Sequence, residues 1–293
     1  MNCGGPAVGD PGPVGGFGSR VAAAVATTGP LCAGIDPSKE LLGQWGLTDD
    51  AKGLRHFGIR CIEAFAGVVP VVKPQVAFFE RCGSTGLAAL EWLLVEARAA
   101  GLLVIADAKR SDIGSTMAAY AAAWLDPDSP LRADAVTAVP YLGLGALQPM
   151  IDLARAHRRG VIVVVRSSNP EGRVLQEALT RAGAGPSVED MLLGEIAEAN
   201  RPGGSPSGTI GAVVGATLRP STFPLPDLGG IILAPGVGAQ GASSEDAGAL
   251  FRGCAPGSVL ASVSRSVLVA GPDVRTLAAA ARQARDEMGE ALA

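Results

Sequence analysis

Histidine and lysine are scarce in this chain: two histidines (His56, His157) and four lysines (Lys39, Lys52, Lys73, Lys109) stand against 20 arginines in 293 residues. Two histidines, each in a helix-like segment, exclude an HExxH protease and a multi-histidine metal centre, and both read as helix-surface residues. The five cysteines (Cys3, Cys32, Cys61, Cys82, Cys254) form no CxxC pair. Their odd number, with no secretion signal, argues against a disulfide framework and for reduced thiols that mostly fill the core. Strong charge of either sign is also missing, and a net charge of −4 gives none of the basic footprint of a nucleic-acid binder. No apolar run reaches the roughly 18 residues needed to cross a bilayer, and the first residues lack both a basic and an apolar leader region. A cytoplasmic protein without membrane or nucleic-acid partners is expected. No GxGxxG follows the first apolar run and no GxxxxGK[ST] occurs, which removes the usual dinucleotide and P-loop readings.

What is present is apolar and periodic. Hydrophobic residues make up 48% of the chain, enough for a large core. Residues 1–19 hold seven glycines and three prolines with little to bury, so a mobile tail is expected there, with the ordered domain spanning 20–293. From Arg20 onward short apolar runs alternate with helical patterns: LCAGID (31–36), VVPVVK (68–73), LLVIAD (102–107), ADAVTA (133–138), VIVVVR (161–166), IGAVVG (210–215), GIILAP (230–235) and SVLASV (258–263). Capping-box-like spacings open helices at Ser187/Asp190 and Ser243/Asp246; Thr48, Ser84 and Asp273 are further N-cap candidates. Gly101 and Gly160 stand where helix C-terminal glycines belong. The stretch 169–186 is long for a loop and has room for a small helix in RVLQEAL, while the proline-rich 217–228 can hold no more than a helical turn. Continuous apolar strands alternating with helices indicate a parallel sheet covered on its outside. Eight such units in this length predict a single-domain α/β fold, a closed (β/α)8 TIM barrel.

In such barrels chemistry gathers at the C-terminal ends of the strands. There the chain presents Asp36, Lys73, the segment DAKRSD (107–112), Ser167 or Ser168, the loop PGVGAQG (235–241) and Arg265. Asp107 and Lys109 are two apart and on an extended strand end would point the same way. With Lys73 and Asp112 they could form an alternating array of two ammonium and two carboxylate groups; the plainer alternative makes Asp112 a helix N-cap and the rest a solvated turn. Lysine can give up a proton where guanidinium effectively cannot, so two of four lysines after buried runs point to a chemical role. The glycines of 235–241 would let backbone N–H groups approach a phosphate, and Arg265 after the eighth strand could grip it bidentately. Either could instead be ordinary, a plain turn and a surface arginine. Asp36 could accept from sugar hydroxyls or stabilise a turn, and Ser168 could meet a heterocycle or only form a turn.

Taken in order, LCAGIDP, VVKPQVAFFE, DAKRSDIGST, PGVGAQG and SRS resemble the orotidine 5′-phosphate decarboxylase family across nearly the whole chain after the tail. The D-x-K-x-x-D element is shared with a wider group of barrel enzymes; its combination with VVKPQ and PGVGAQG is specific. The resemblance implies decarboxylation of orotidine 5′-monophosphate to uridine 5′-monophosphate in pyrimidine nucleotide synthesis, without metal or organic cofactor. It implies that Lys73 binds ribose and orients Asp107, that Asp107 lies beside the substrate carboxylate, and that Lys109 donates the proton to C6. It further implies a homodimer in which Asp112 and Thr116 reach into the partner's site, Asp36 and Thr116 on ribose, Ser168 on the pyrimidine, and Gln240 with Arg265 on the phosphate. The family often has glycine before that arginine, where this chain has Ser264. The segment 169–208 resembles the longer bacterial members. Two alternatives stay open: a metal-dependent keto-sugar-phosphate lyase of the same barrel group, which would need an acidic ligand near the second strand's end, and a non-catalytic nucleotide-binding barrel.

Overall fold

A computed structural model describes residues 15–201, 208–216, 222–236 and 243–292. Eight strands run in sequence order around a closed barrel: β1 (Leu31–Ile35), β2 (Val71–Pro74), β3 (Leu103–Arg110), β4 (Ala135–Ala138), β5 (Gly160–Arg166), β6 (Ile210–Val214), β7 (Ile232–Pro235) and β8 (Val259–Val263). Every neighbouring pair is parallel, and β1 closes on β8 with Leu31 opposite Ala261 and Ala33 opposite Val263. These are the eight apolar runs read from the sequence. β2 starts three residues late because Pro70 has no N–H for a ladder bond. The strands are continuously apolar because both faces are covered. Cys32, Val71, Ile105, Ile162, Leu233 and Leu260 point inward into one cluster, while Ala33, Val72, Val104 and Val161 pack outward under the helices.

The floor of the barrel is closed by the helix Phe17–Thr28, whose Phe17 and Val21 join the inner cluster. The first helix therefore starts three residues before Arg20, and Phe17, 1% exposed, adds its ring to the inward-facing side chains. Arg20 donates from a terminal nitrogen to Asp134 Oδ1 at 2.6 Å, and Asp134 Oδ2 accepts from Val104 N at 2.9 Å, so this helix is pinned to β3 and to the segment entering β4. Of the tail expected at 1–19, residues 1–14 lie outside the described residues.

Several local expectations change in their details. Ser187, Ser243 and Asp273 cap their helices, Ser243 with a complete capping box. At the helix Ala51–Phe65 the cap is Asp50, which accepts from Gly53 N, while Thr48 donates to Asp50. Ser84 lies inside the helix Gly83–Ala99, and Cys82 at its cap position makes no side-chain cap bond. Gly101 has the left-handed φ of 79° expected after a helix, but Gly160 begins β5, and the left-handed residue there is Arg158 at φ 56°. Gly160 is small for a different reason: a Cβ on it would lie 2.4 Å from the Phe17 ring. In 169–186 a short helix forms at Arg173–Gln176, inside the RVLQEAL stretch.

Candidate active site

The site begins with an irregularity in β3. Ala106 pairs with Val136 and Arg110 with Ala138, so Asp107, Ala108 and Lys109 on β3 oppose the single residue Thr137 on β4. Such a bulge re-aims side chains at the end of a strand. Lys109 adopts a left-handed backbone with φ 47°, uncommon for a residue bearing a Cβ. Its N–H donates to Thr137 Oγ1 at 2.9 Å, which holds the kink. Asp107 and Lys109 do reach the same side, but by this bulge and not by simple strand alternation.

Asp107 is the hub. Its Oδ2 accepts from Lys73 Nζ and from Gln75 Nε2, both at 2.9 Å; its Oδ1 accepts from Lys109 Nζ at 2.5 Å and from Thr137 Oγ1 at 2.9 Å. These four bonds use the roughly four acceptor positions of a carboxylate, so the group cannot turn or take a further donor without breaking one. Burial alone would favour the neutral acid, but the ammonium groups of Lys73 and Lys109 outweigh it and hold Asp107 well below the usual carboxylate range. Burial likewise works against a charged Lys73, yet the carboxylates of Asp107 and Asp36 overcome it and raise the lysine above its ordinary value. The two lysines differ in access. The Lys73 side chain is 11% exposed, whereas that of Lys109 is 48% exposed and opens into the cavity.

That cavity, about 320 Å³, sits over the C-terminal ends of the strands. Asp36, Lys73, Asp107, Lys109, Ser168 and Arg265 all line it, together with Ser167. Barrel order sets their arrangement: Asp36 after β1 stands between Lys73 on β2 and Arg265 after β8, and Ser168 follows β5 across the mouth. Val164, Val213, Leu233 and Val263 make the floor between them apolar. Asp36 Oδ1 is buried and has no hydrogen-bond partner among the described residues, leaving an acceptor for a bound molecule's hydroxyl. Ser167 is held by Gln176, whose Oε1 accepts from Ser167 N at 3.1 Å and whose Nε2 donates to its Oγ at 2.7 Å; Ser168 is next in the chain.

The single chain does not bring every candidate together. Asp112 Oδ1 accepts from the N–H of the neighbouring Ile113 at 2.8 Å, Thr116 is exposed on the helix Gly114–Leu125, and neither lines the cavity. Gln240 lies outside the described residues. Gln75 and Thr137 were not among the sequence candidates. Gln75 sits two residues beyond Lys73 in VVKPQ, the same spacing that separates Asp107 from Lys109, and Thr137 is the one hydroxyl in the run ADAVTA. Among the described residues, no group of three His, Cys, Asp or Glu side chains is placed to hold a metal ion, and no helix is long and apolar enough to cross a membrane.

Comparison with known proteins agrees with this geometry. Residues 29–280 match the family model described as "Orotidine 5'-phosphate decarboxylase / HUMPS family". The orotidine 5′-phosphate decarboxylase of Salinispora arenicola is 52% identical over 265 residues, covering 90% of this chain and 94% of the relative. That of Corynebacterium efficiens is 50% identical over 273 residues, covering 92% and 96%. A crystal structure from Streptomyces avermitilis, provisionally assigned to the same activity, superposes with a TM-score of 0.90 at 50% identity, covering 95% of this chain and 96% of that one. With the bulged β3 terminus, its lysine pair and the cavity above them accounted for, the chain belongs to the orotidine 5′-phosphate decarboxylase / HUMPS family.

Proposed function

We propose that this protein decarboxylates orotidine 5′-monophosphate to uridine 5′-monophosphate, with Lys109 as the group that stabilises and protonates the reacting carbon. The observation that carries the reading is the Lys73–Asp107–Lys109 array lining the cavity at the mouth of the barrel. Loss of CO2 breaks the bond from C6 to the carboxylate carbon and leaves the electron pair in an sp2 orbital in the ring plane. The ring's π system cannot accept that pair, so the protein must supply positive charge. Lys109, anchored by one ammonium hydrogen on Asp107, has others free to point at C6. Its charge favours the developing anion, then one N–H bond breaks as the C6–H bond forms, leaving a neutral amine that recovers a proton from solvent. One proton enters and CO2 leaves, with no net oxidation and no external electron acceptor.

The remaining residues divide a nucleotide between them. Arg265, with Gln240, binds the phosphate; Asp36 and Lys73 take ribose hydroxyls; Ser168 faces the pyrimidine. Strand order supports this, since a ribose lies between phosphate and base and Asp36 lies between Arg265 and the lysine array. Asp107 adds a fixed negative charge beside the substrate carboxylate, and binding energy at the distant phosphate offsets that repulsion. Asp112 and Thr116 act in the partner's site of a homodimer. The exposure of Thr116 and the partial exposure of Asp112 fit this, as does the apolar surface of Ile113, Tyr141 and Leu142, which are 62%, 74% and 52% exposed at the same end of the barrel. The cytoplasm suits the free cysteines Cys32, Cys61, Cys82 and Cys254.

A metal-dependent lyase of the same barrel group would place an acidic ligand where this chain has the cation Lys73. The test is the ultraviolet change of orotidine 5′-monophosphate on incubation with chelator-treated protein. Turnover that chelator leaves unchanged is expected. Activity that requires an added divalent metal would favour the lyase, and thermal stabilisation by uridine 5′-monophosphate without turnover would favour a binding protein.

A further inference from the structure

Arg110, the residue after Lys109, is joined to three separate elements. Its guanidinium forms an ion pair with Glu80, at the end of the short helix Ala77–Glu80 that follows Lys73 and Gln75. A second terminal nitrogen donates to Ala108 O at 3.0 Å, and its Cζ lies 5.6 Å and 5.7 Å from the ring centres of Tyr120 and Trp124. Both rings belong to the helix Gly114–Leu125, which carries Thr116 and follows Asp112. On the backbone, Arg110 O accepts from Val139 N at 3.0 Å. The side chain thus folds back over Ala108 and spans the left-handed Lys109 between them. A non-glycine residue in that conformation is strained and persists only where its surroundings over-determine it. Thr137 fixes Lys109 from the N–H side; Arg110 does so from the other.

We infer that Arg110, held by Glu80 and stacked on Tyr120 and Trp124, is a positioning residue that keeps Lys109 aimed at the reacting carbon. The same guanidinium ties the β3 terminus to the helix that follows Asp112 and carries Thr116, so the groups given to a protomer's own site and to its partner's share one anchor. Lysine would not serve here, because an ammonium lacks both the forked donors and the flat face that meets two rings. The inference rests on the decarboxylase reading above.

The experiment compares kcat and KM for orotidine 5′-monophosphate in wild type, Arg110→Met, Arg110→Lys, Glu80→Gln and the double variant Glu80→Gln/Arg110→Met. A displacement of the reacting group by about 1 Å can cost about 10²-fold, so Arg110→Met is expected to lower kcat by about 10- to 100-fold. KM should stay within about three-fold, because substrate contacts are untouched. Arg110→Lys should recover only part of the loss. The double variant should be no slower than Arg110→Met, since both changes remove one device. An unchanged kcat, a loss confined to KM, or losses that multiply in the double variant would overturn the inference. Thermal melting reports folding, and if Arg110→Met does not fold, Glu80→Gln alone decides, because Glu80 is partly exposed at 38% of its side chain. Wild-type turnover with unaffected variants would sink this inference and leave the decarboxylase reading intact; a wild type without turnover would sink that reading first.

Discussion

Replacing Asp107 with asparagine should weaken the whole barrel as well as its site. The change keeps volume and shape but removes the only carboxylate that, among the described residues, contacts Lys73 Nζ, whose side chain is 11% exposed. Lys109 is half exposed, so water compensates it for the loss. Lys73 has no such relief, and the asparagine amide must turn an N–H toward one of the surrounding donors. Breaking a buried ion pair by removing one partner costs about 3–5 kcal/mol. At about 2–4 °C per kcal/mol for chains of this general size, the melting temperature should fall by about 6–20 °C. Urea unfolding followed by circular dichroism, at fixed protein concentration, measures the loss directly. Adding Lys73→Met to Asp107→Asn should recover part of it, because the buried ammonium then disappears. If Asp107→Asn lies within about 1 kcal/mol of wild type, the value of an exposed pair, the array is not the desolvated unit described above.

The pH dependence of that loss has a definite sign. Asp107 is depressed, so its contribution is present above the ordinary carboxylate range near about pH 4 and is lost as pH falls through its lower folded value. Lys73 is raised, so its contribution is complete below about pH 10 and is lost only as pH rises past its folded value. The stability gap between wild type and Asp107→Asn should therefore open as pH rises through the carboxylate range and narrow again toward alkaline pH, where the unpaired Lys73 of the variant sheds its proton; in urea titrations, a gap that widens as pH falls below about 4 would contradict the assignment. At the opposite end of the barrel, Gly160→Ala puts a methyl 2.4 Å from the Phe17 ring. Overpacking of this kind costs about 1–3 kcal/mol, and Phe17→Leu in the same chain should return part of it; an unaffected Gly160→Ala variant would show that the floor helix is not rigidly seated.

The barrel was legible because its signal is distributed: eight apolar runs, each too short for a helix and separated by amphipathic stretches, admit few other arrangements. Strand ends then picked out Asp36, Lys73, Asp107, Lys109, Ser168 and Arg265, all of which line one cavity. What escaped were contacts that need three dimensions. Thr137 looks like one more strand residue until the bulge in β3 sets it against both Asp107 and the Lys109 N–H. Gln75 and Arg110 sit inside motifs read for their neighbours, and nothing in one dimension shows Arg110 folding back to Glu80 and two rings. Gly160 had the spacing of a helix terminator but is small because of Phe17, a residue far away in the chain. The position of Phe17 itself was hidden by the glycines around it, which made residues 1–19 look uniform. Asp112 and Thr116 mark another boundary, since their proposed place is in a second copy of the chain.

The central claim is that the ammonium of Lys109, fixed by Asp107, stabilises and protonates the carbon that loses CO2. The most direct measurement is the single-turnover rate of Lys109→Ala with orotidine 5′-monophosphate, beside the affinity of the variant for uridine 5′-monophosphate. General acid catalysis contributes about 10²–10⁴-fold and a lost electrostatic stabiliser about 10²–10³-fold, so a fall of at least about 10⁴-fold is expected, with product affinity largely kept. A Lys109→Ala enzyme that still turns over within about ten-fold of wild type would contradict the account.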